Sequence, residues 1–195
     1  AAGGDGTVHE VVNGLAGSHS TLAVIPSGTT NVWAKEAGIP SDPARALRWV
    51  KHARHVQLDL GHATVSSGAE CYFLLMCSTG LDAEVVRRVE RSHFKRHLGR
   101  VWYGLVGFER VLRAAPVHTL IVCNSKSLER DLLFAVVGNT QLYGGFTRLT
   151  SNACANDGLL DLIAFSGHGK LKLLQLAGRA LRGGLHHRSG RGIDY

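Results

Sequence analysis

The chain opens with a glycine-rich turn, Gly3-Gly4-Asp5-Gly6-Thr7, which leads directly into the apolar helical pattern Val8-His9-Glu10-Val11-Val12. Three glycines let the backbone approach a polyphosphate closely, and the N-terminus of the following helix adds its positive end. Asp5 is unusual there, because a carboxylate repels phosphates unless a cation bridges them or a hydroxyl hydrogen-bonds to it. The stretch therefore predicts a nucleotide-phosphate loop with magnesium nearby. A glycine-rich turn that only caps a helix is the alternative.

A second strand, polar turn and helix follow. Residues 22–26 predict a short buried strand, and Ser27-Gly28-Thr29-Thr30-Asn31 leads into a helix expected over 32–37. Two such turns joined by one helix are expected at one edge of adjacent parallel strands, facing the same crevice. The two threonine hydroxyls can donate to phosphate oxygens, and Asn31 stands where an N-cap would lie. The pair of turns predicts one phosphate-binding crevice.

The pattern changes after a third predicted helix, which begins at Ser41-Asp42-Pro43 and ends near His52. We place a domain boundary at residue 55, between an α/β unit over 1–55 and a β-rich, sandwich-like unit over 56–195. Helices are also expected over 83–114 and 170–185. Short strands are predicted over 56–60, 71–77, 117–123, 130–137 and 159–165.

Composition indicates a packed globular protein, since 45% of the 195 residues are hydrophobic and only 19% are charged. No apolar run approaches the roughly 20 residues of a membrane-spanning helix, and no signal peptide opens the chain, so a cytoplasmic location is expected. The four cysteines form no C-x-x-C pair, and reduced core residues are expected at Cys71, Cys77 and Cys123. The eleven histidines show no H-x-x-x-H arrangement on an evident helix, which disfavours a histidine metal site.

The net charge of +7 is concentrated in two basic stretches, 87–100 and 170–191, both helical in pattern. Basic helices beside leucines and aromatic residues can dock on anionic lipid headgroups. A solvated basic face that only aids solubility is the alternative. Nucleic acid is disfavoured as a partner, because the chain has no binding motif for it and no aromatic stacking set among the basic residues.

An acidic turn lies near the end of the chain at Asn156-Asp157-Gly158. Asp157 with neighbouring backbone carbonyls is suited to magnesium, since a hard cation takes oxygen ligands and keeps several waters. A plain turn aspartate is the alternative. Asp161 is a candidate for supporting such a site.

These motifs together resemble the catalytic domain of diacylglycerol kinases and related bacterial lipid kinases. The opening motif alone is shared with NAD kinases and phosphofructokinases, and the later segments distinguish the lipid kinases. Essentially the whole chain is covered by the resemblance. The segments that carry it, besides Gly3 to Leu15 and Pro26-x-Gly28-Thr29-x-Asn31, are Ser78 to Val86, Val137-Gly138-Asn139, Tyr143-Gly144-Gly145 and Asn156 to Asp161.

The resemblance implies an ATP- and magnesium-dependent phosphotransferase acting on the hydroxyl of diacylglycerol or a sphingoid-like lipid. It implies an α/β nucleotide-binding domain followed by an antiparallel β-sandwich domain with inserted helices, located peripherally on the inner face of the membrane. The resemblance leaves undecided whether the protein forms a homo-oligomer. Asp5 is the implied catalytic residue, and Cys154 and Leu159 are implied to join Asp157 at magnesium through their carbonyls. The implied nucleotide contacts are Gly3, Gly4, Asp5, Gly6, Thr7, Val8, His9 and Thr29.

The family's general base is an aspartate of an Asp-Gly-Glu motif beyond the final helix, and we expect it beyond Tyr195. Because an earlier strand with an Asn-Pro turn is also missing, we expect the chain to be a fragment that is inactive and poorly stable alone. His9 and Val32 depart from the usual asparagine and aspartate. A soluble-substrate kinase of the NAD kinase type, or a catalytically inactive lipid- or nucleotide-binding protein, remain alternatives.

Overall fold

The computed structural model describes residues 1–80, 115–124, 126–145 and 147–166. The helices predicted over 83–114 and 170–185, and both basic stretches, lie outside the described residues. Contacts divide the chain into two units: Ala1–Cys77 with Gly138–Asp161, and Ser78–Val137 with Leu162–Tyr195. The boundary at residue 55 stays a prediction.

The first unit begins with the predicted α/β arrangement. Strand β1 (Ala2–Gly3) pairs in parallel with β2 (Ile25–Pro26), and helix α1 (Asp5–Leu15) joins them. Helices α2 (Val32–Glu36) and α3 (Pro43–Val50) follow. Each strand therefore runs into a glycine turn and then a helix, as the sequence predicted, although β2 is only two residues long.

One apolar cluster holds this α/β part together. Helix α1 turns Val8 and Val12 inward, four residues apart on one face, where they pack with Val24 and Leu74. The partly buried residues around this cluster are Leu22, Trp33, Ile39, Leu58, Leu60 and Tyr72. Because Val24 directly precedes β2, the cluster packs α1 against the segment that leads into that strand.

Two antiparallel hairpins complete the first unit, formed by β3 (Gly61–Thr64) with β4 (Glu70–Phe73) and by β8 (Leu142–Tyr143) with β9 (Thr147–Arg148). The strand predicted over 56–60 is wrong: this segment has no strand ladder. The backbone of Asp59 instead forms two hydrogen bonds outside any sheet. Its N–H donates to the Ala155 carbonyl, and its carbonyl accepts from the Asn139 side chain.

The strand predicted over 71–77 is interrupted. It divides into β4 and β5 (Met76–Gly80), with Leu74 and Leu75 between them outside any strand. The reason is Asn139, whose side-chain amide donates to the Leu74 carbonyl at 2.9 Å and whose backbone N–H donates to the Leu75 carbonyl at 2.8 Å. Both carbonyls therefore accept hydrogen bonds from Asn139 and not from a neighbouring strand.

The second unit is built on a four-stranded sheet. Strand β7 (Lys126–Gly138) lies between β5 and β10 (Asp161–Ser166), and β6 (Val117–Cys123) pairs antiparallel with it. Leu132, Ala135 and Ala164 form its buried cluster, and the Phe134 and Phe165 rings stack at 4.2 Å. Strand β6 has the predicted bounds, β7 is longer than predicted, and β10 begins two residues later than predicted. The α/β unit followed by antiparallel β-structure confirms the predicted fold class.

The cysteines are free, as predicted, but they are not core residues. Cys123 and Cys154 are exposed, and Cys71 and Cys77 are half-buried. Most residues of strand β6 are exposed, so its apolar composition did not imply burial. Burial, and secondarily the nearby Cys71, raises the pKa of the Cys77 thiol, which disfavours its reactive thiolate.

His118 bridges two carboxylates on the exposed β6–β7 ladder. Its Nε2 lies 2.9 Å from Glu129 and its Nδ1 lies 3.1 Å from Asp131. Both ring nitrogens must donate, so the imidazolium form is favoured, and the pKa of His118 is raised first by the hydrogen bond to Glu129 and then by that to Asp131.

We expect Glu129→Gln to lower the pKa of His118, measured by NMR titration of its ring protons. With the folded pKa above the unfolded value, the bridge's stabilising effect is complete below the unfolded pKa and is lost as pH rises through the folded pKa. Glu70→Gln, in the β3–β4 hairpin, should leave the His118 titration unchanged. An unaltered titration in Glu129→Gln would contradict the bridge.

Candidate functional site

The two predicted glycine turns touch each other. A Cβ atom added to Gly28 would lie 2.5 Å from the Gly4 Cα, and one added to Gly4 would lie 3.1 Å from the Gly28 Cα. A Cβ on Gly3 would lie 2.4 Å from the Thr7 Cβ. These three glycines are therefore required by the close approach of the turns to each other and to α1, and they confirm that the turns share one locus.

Asp5, and not Asn31, provides the side-chain hydrogen bond at the start of α2. Asn31 occupies the N-cap position of α2 with φ 49°, but its side chain makes no cap bond to the helix. Its Oδ1 accepts from the Gly28 N–H at 2.9 Å and its Nδ2 donates to the Gly28 carbonyl at 2.8 Å, which closes the second turn. The Asp5 carboxylate instead accepts from the Trp33 N–H at 3.3 Å, near the start of α2. A backbone amide, rather than a hydroxyl, thus partners the unusual carboxylate.

The remaining residues of the first turn differ in exposure. Gly6, Thr7 and His9 are exposed, and a Cβ on Gly6 would meet nothing within 4 Å. Val8 is only 5% exposed, packs in the α1 cluster, and donates its N–H to the Gly4 carbonyl at 3.0 Å. Open space therefore lies beside Gly6 and Thr7, while Val8 serves the packing of α1, and a nucleotide contact at Val8 stays a prediction.

A third glycine turn, at Tyr143-Gly144-Gly145, lies against the second. A Cβ on Gly145, whose φ is +78°, would lie 2.9 Å from the Thr30 Cγ2 and 3.0 Å from the Lys35 Nζ. The Lys35 ammonium donates to the Gly145 carbonyl at 3.4 Å. Thr29 is exposed beside Gly28 and Thr30 is half-buried under the third turn. The sequence singled out the third turn as a motif but did not predict that it meets the second.

The Glu36 side chain hydrogen-bonds to the backbone of the two residues that precede this third turn. Its Oε1 accepts from the Gln141 N–H at 2.8 Å and its Oε2 accepts from the Leu142 N–H at 3.0 Å. Neither Glu36 nor Lys35 was predicted as a site residue, because a charged pair on a short helix ordinarily reads as a solvated face. Only the fold reveals what these side chains contact.

The predicted magnesium ligands lie in one tight turn. The Cys154 carbonyl accepts from the Asn156 N–H at 2.8 Å and from the Asp157 N–H at 3.4 Å. The exposed Asp157 carboxylate accepts from the Leu159 N–H at 3.0 Å. The three residues named from the resemblance are thus joined by consecutive hydrogen bonds.

Asp59 fastens the acidic turn. Its backbone N–H donates to the Ala155 carbonyl at 2.7 Å, and its Oδ2 accepts from the Gly158 N–H at 2.7 Å. Asn139, which is fully buried, donates in turn to the Asp59 carbonyl at 2.9 Å. Each such bond contributes about 1 kcal/mol net, and an unsatisfied buried partner would cost more. Asp59 was predicted only as part of a strand, and the sequence pattern did not predict its hydrogen bonds to the acidic turn.

The donor set at this turn fits magnesium. Asp157 and backbone carbonyls supply hard oxygen ligands, and the turn is exposed enough to leave room for metal-bound water. Burial, and secondarily the charge of Asp157, raises the pKa of the neighbouring Asp161.

Two further findings concern only the described part of the chain. Among those residues, no group of three or more histidine, cysteine, aspartate or glutamate side chains is arranged to hold a metal ion, so a magnesium site here would depend on carbonyl oxygens. Within the same residues, no helix has the length and apolar character that crossing a membrane requires.

Comparison with known proteins places this arrangement in a family. The model described as the diacylglycerol kinase catalytic domain matches residues 1–63, and the model described as the YegS C-terminal NAD kinase beta sandwich-like domain matches residues 76–190. The two matches cover both the glycine turns and the acidic turn. The chain belongs to this family of diacylglycerol kinase and YegS-type proteins, which confirms the resemblance inferred from the motifs.

Individual relatives agree. The chain is 34% identical over 186 residues to a diacylglycerol kinase of Bacillus subtilis (strain 168), covering 94% of this chain and 59% of that protein. It is 34% identical over 176 residues to a diacylglycerol kinase of Mycobacterium tuberculosis (strain CDC 1551 / Oshkosh), covering 89% and 56%. A crystal structure of a diacylglycerol kinase from Bacillus anthracis str. Sterne superposes with a TM-score of 0.66 at 27% identity, covering 92% and 57%. The chain thus spans less than two thirds of each relative.

Proposed function

We propose that the protein containing this chain is an ATP- and magnesium-dependent kinase that transfers the γ-phosphate to the hydroxyl of diacylglycerol or a sphingoid-like lipid. The observation that carries the proposal is the contact between the glycine turns at Gly4 and Gly28, with open space beside Gly6. Backbone amides at such a place hold phosphates without many cationic side chains. Two relatives named diacylglycerol kinase support the choice of acceptor.

The residues of the crevice divide the work of phosphoryl transfer, which is mainly positioning and charge stabilisation. Gly3, Gly4 and Gly28 bring the two backbones together, and Gly6 leaves the space in which a phosphate would lie. The Thr7 and Thr29 hydroxyls are exposed at the crevice and are the proposed donors to phosphate oxygens. Asp5 fixes the start of α2, so its proposed contribution to catalysis is to set the spacing of the two turns.

Asp157 and the carbonyls of Cys154 and Leu159 are the proposed magnesium ligands. When bound, magnesium would supply positive charge that organises the acidic turn. Asp59 holds that turn through two hydrogen bonds, to Ala155 and Gly158. The proposed general base is an aspartate beyond Tyr195, as the family resemblance implies.

The proposed setting is the cytoplasmic face of the membrane, where the lipid acceptor would be reached from the bilayer surface. The net charge of +7 favours an anionic surface, with each cation near it contributing about 1 kcal/mol. The product of such a kinase would enter phospholipid metabolism.

Transfer of labelled γ-phosphate tests this function. The full-length protein is incubated with labelled ATP and magnesium, or with a chelator, and offered diacylglycerol, sphingosine, ceramide or NAD. We expect labelling of one lipid, dependent on magnesium. Labelling of NAD alone would replace the lipid proposal with a soluble-substrate kinase. No labelling of any acceptor would leave an inactive nucleotide- or lipid-binding protein as the better description.

A further inference from the structure

Helix α2 holds the third glycine turn as well as the first two. The Glu36 carboxylate uses both oxygens to accept consecutive backbone N–H groups, from Gln141 at 2.8 Å and Leu142 at 3.0 Å. A carboxylate that accepts two amides forms charge-assisted hydrogen bonds, which are shorter and stronger than neutral ones. The segment entering Tyr143-Gly144-Gly145 is therefore fastened to α2 at two successive points.

Lys35, the preceding residue, fastens the other end of the same turn. Its ammonium donates to the Gly145 carbonyl at 3.4 Å. Gly145 also lies so close to Thr30 that a methyl group on it would meet the Thr30 Cγ2 at 2.9 Å. The third turn thus forms a wall directly against the residue next to Thr29, one of the proposed phosphate donors.

We propose that Glu36 is a positioning residue for nucleotide binding: it clamps the Tyr143-Gly144-Gly145 turn against Thr30 and so fixes the second phosphate turn. The inference rests on the proposed function, because it assigns the nucleotide to the crevice that this turn borders. Asp5 holds the same short helix from the first turn through the Trp33 N–H. One five-residue helix therefore sets the relative positions of all three glycine turns.

Glu36→Gln tests the clamp with little change of shape. One carboxylate oxygen becomes an NH2 group that faces a backbone N–H, so one of the two bonds is lost and two donors oppose each other. We expect the Kd for ATP, measured by direct titration of the full-length protein without lipid, to rise about 10- to 100-fold, because the loss of one charge-assisted hydrogen bond that fixes the turn has an effect of this order. The KM for ATP should rise in parallel.

A structural role predicts a different result. If Glu36 only stabilises the fold, the variant lowers Tm and the active fraction, and hence kcat, while the Kd and KM of the folded fraction stay as in the wild type. Lys35→Met provides a second variant should Glu36→Gln fail to fold, and we expect it to raise the Kd in the same direction by a smaller factor. Glu70→Gln is the matched control, since Glu70 is an exposed carboxylate of the same unit that bonds only to His62 in the described structure.

The outcomes separate the two proposals. Wild-type protein that does not bind ATP overturns the proposed function, and the clamp with it. Wild-type protein that binds ATP, with folded Glu36→Gln and Lys35→Met binding it equally well, overturns the clamp and leaves the kinase intact. A raised Kd in these variants, with Glu70→Gln unchanged, supports the clamp even where no lipid acceptor has been found.

Discussion

Gly28→Ala is expected to weaken ATP binding by about 100-fold or more while leaving most of the fold intact. The added methyl group would lie 2.5 Å from the Gly4 Cα, 2.9 Å from the Asn31 Oδ1 and 3.3 Å from the Gly4 nitrogen. Two of these atoms belong to backbone, which cannot rotate away as a flexible side chain can. The two turns must therefore separate by about 1 Å. A misplacement of that size can lower a rate by about 100-fold where groups are held in a reactive geometry, and we expect a loss of similar order in affinity for phosphates held by both turns.

The measurement is the Kd for ATP by direct titration, together with Tm. Gly14→Ala is the matched control, since Gly14 lies within α1 and a Cβ there would meet nothing within 4 Å. Because alanine is favoured over glycine in a helix by about 1 kcal/mol, that variant should be equally or more stable, with unchanged affinity. Wild-type affinity in Gly28→Ala would show that the contact between the turns does not shape the site.

The local part of the site was predictable because its signals lie in consecutive residues. The glycine turns, the helices that follow them and the parallel pairing of β1 with β2 all follow from short patterns of glycine and apolar residues. The Asp42 cap of α3 was equally accessible, and its carboxylate accepts from the Arg45 N–H at 2.8 Å. In each case the partners lie within a few residues or are fixed by one strand–turn–helix unit.

What the sequence could not predict are contacts between distant residues. Asn31 has the residue type and position of an N-cap, yet its side chain makes no cap bond. The Asp5 carboxylate instead accepts from the N–H of Trp33, 28 residues later in the chain. Glu36 reaches amides more than 100 residues away, and its own surroundings in the sequence carry no trace of them. Such pairings depend on how strands and turns pack, which local propensity does not encode.

The failed strand over 56–60 has the same origin. Its alternating pattern fits a strand, and Leu58 and Leu60 do pack on the apolar cluster. Asn139 and the acidic turn, however, take up the backbone and side-chain groups of Asp59, so no ladder forms. A segment whose sequence predicts a strand instead holds the turn that carries Asp157.

Asp157→Ala is expected to lower phosphoryl transfer by about 100- to 1000-fold with little loss of stability. The side chain is exposed and makes one hydrogen bond in the described structure, to the Leu159 N–H at 3.0 Å, whose loss should cost about 1 kcal/mol or less. The proposed magnesium site would lose its one carboxylate ligand, leaving carbonyls that hold the ion weakly. Removal of one preorganised electrostatic group commonly lowers turnover by a factor of this order.

The assay follows labelled γ-phosphate transfer by the full-length protein across a magnesium titration, with Tm measured in parallel. Asp42→Ala is the matched control, because it also removes one exposed carboxylate that accepts a backbone N–H, at the start of α3. Its stability should fall by about 1 kcal/mol, as for a lost cap, while its activity and magnesium dependence stay those of the wild type. If Asp157→Ala retains both activity and magnesium dependence, Asp157 is a plain turn residue and the magnesium must be held elsewhere. Reduced activity that high magnesium restores would instead identify weakened metal binding as the cause.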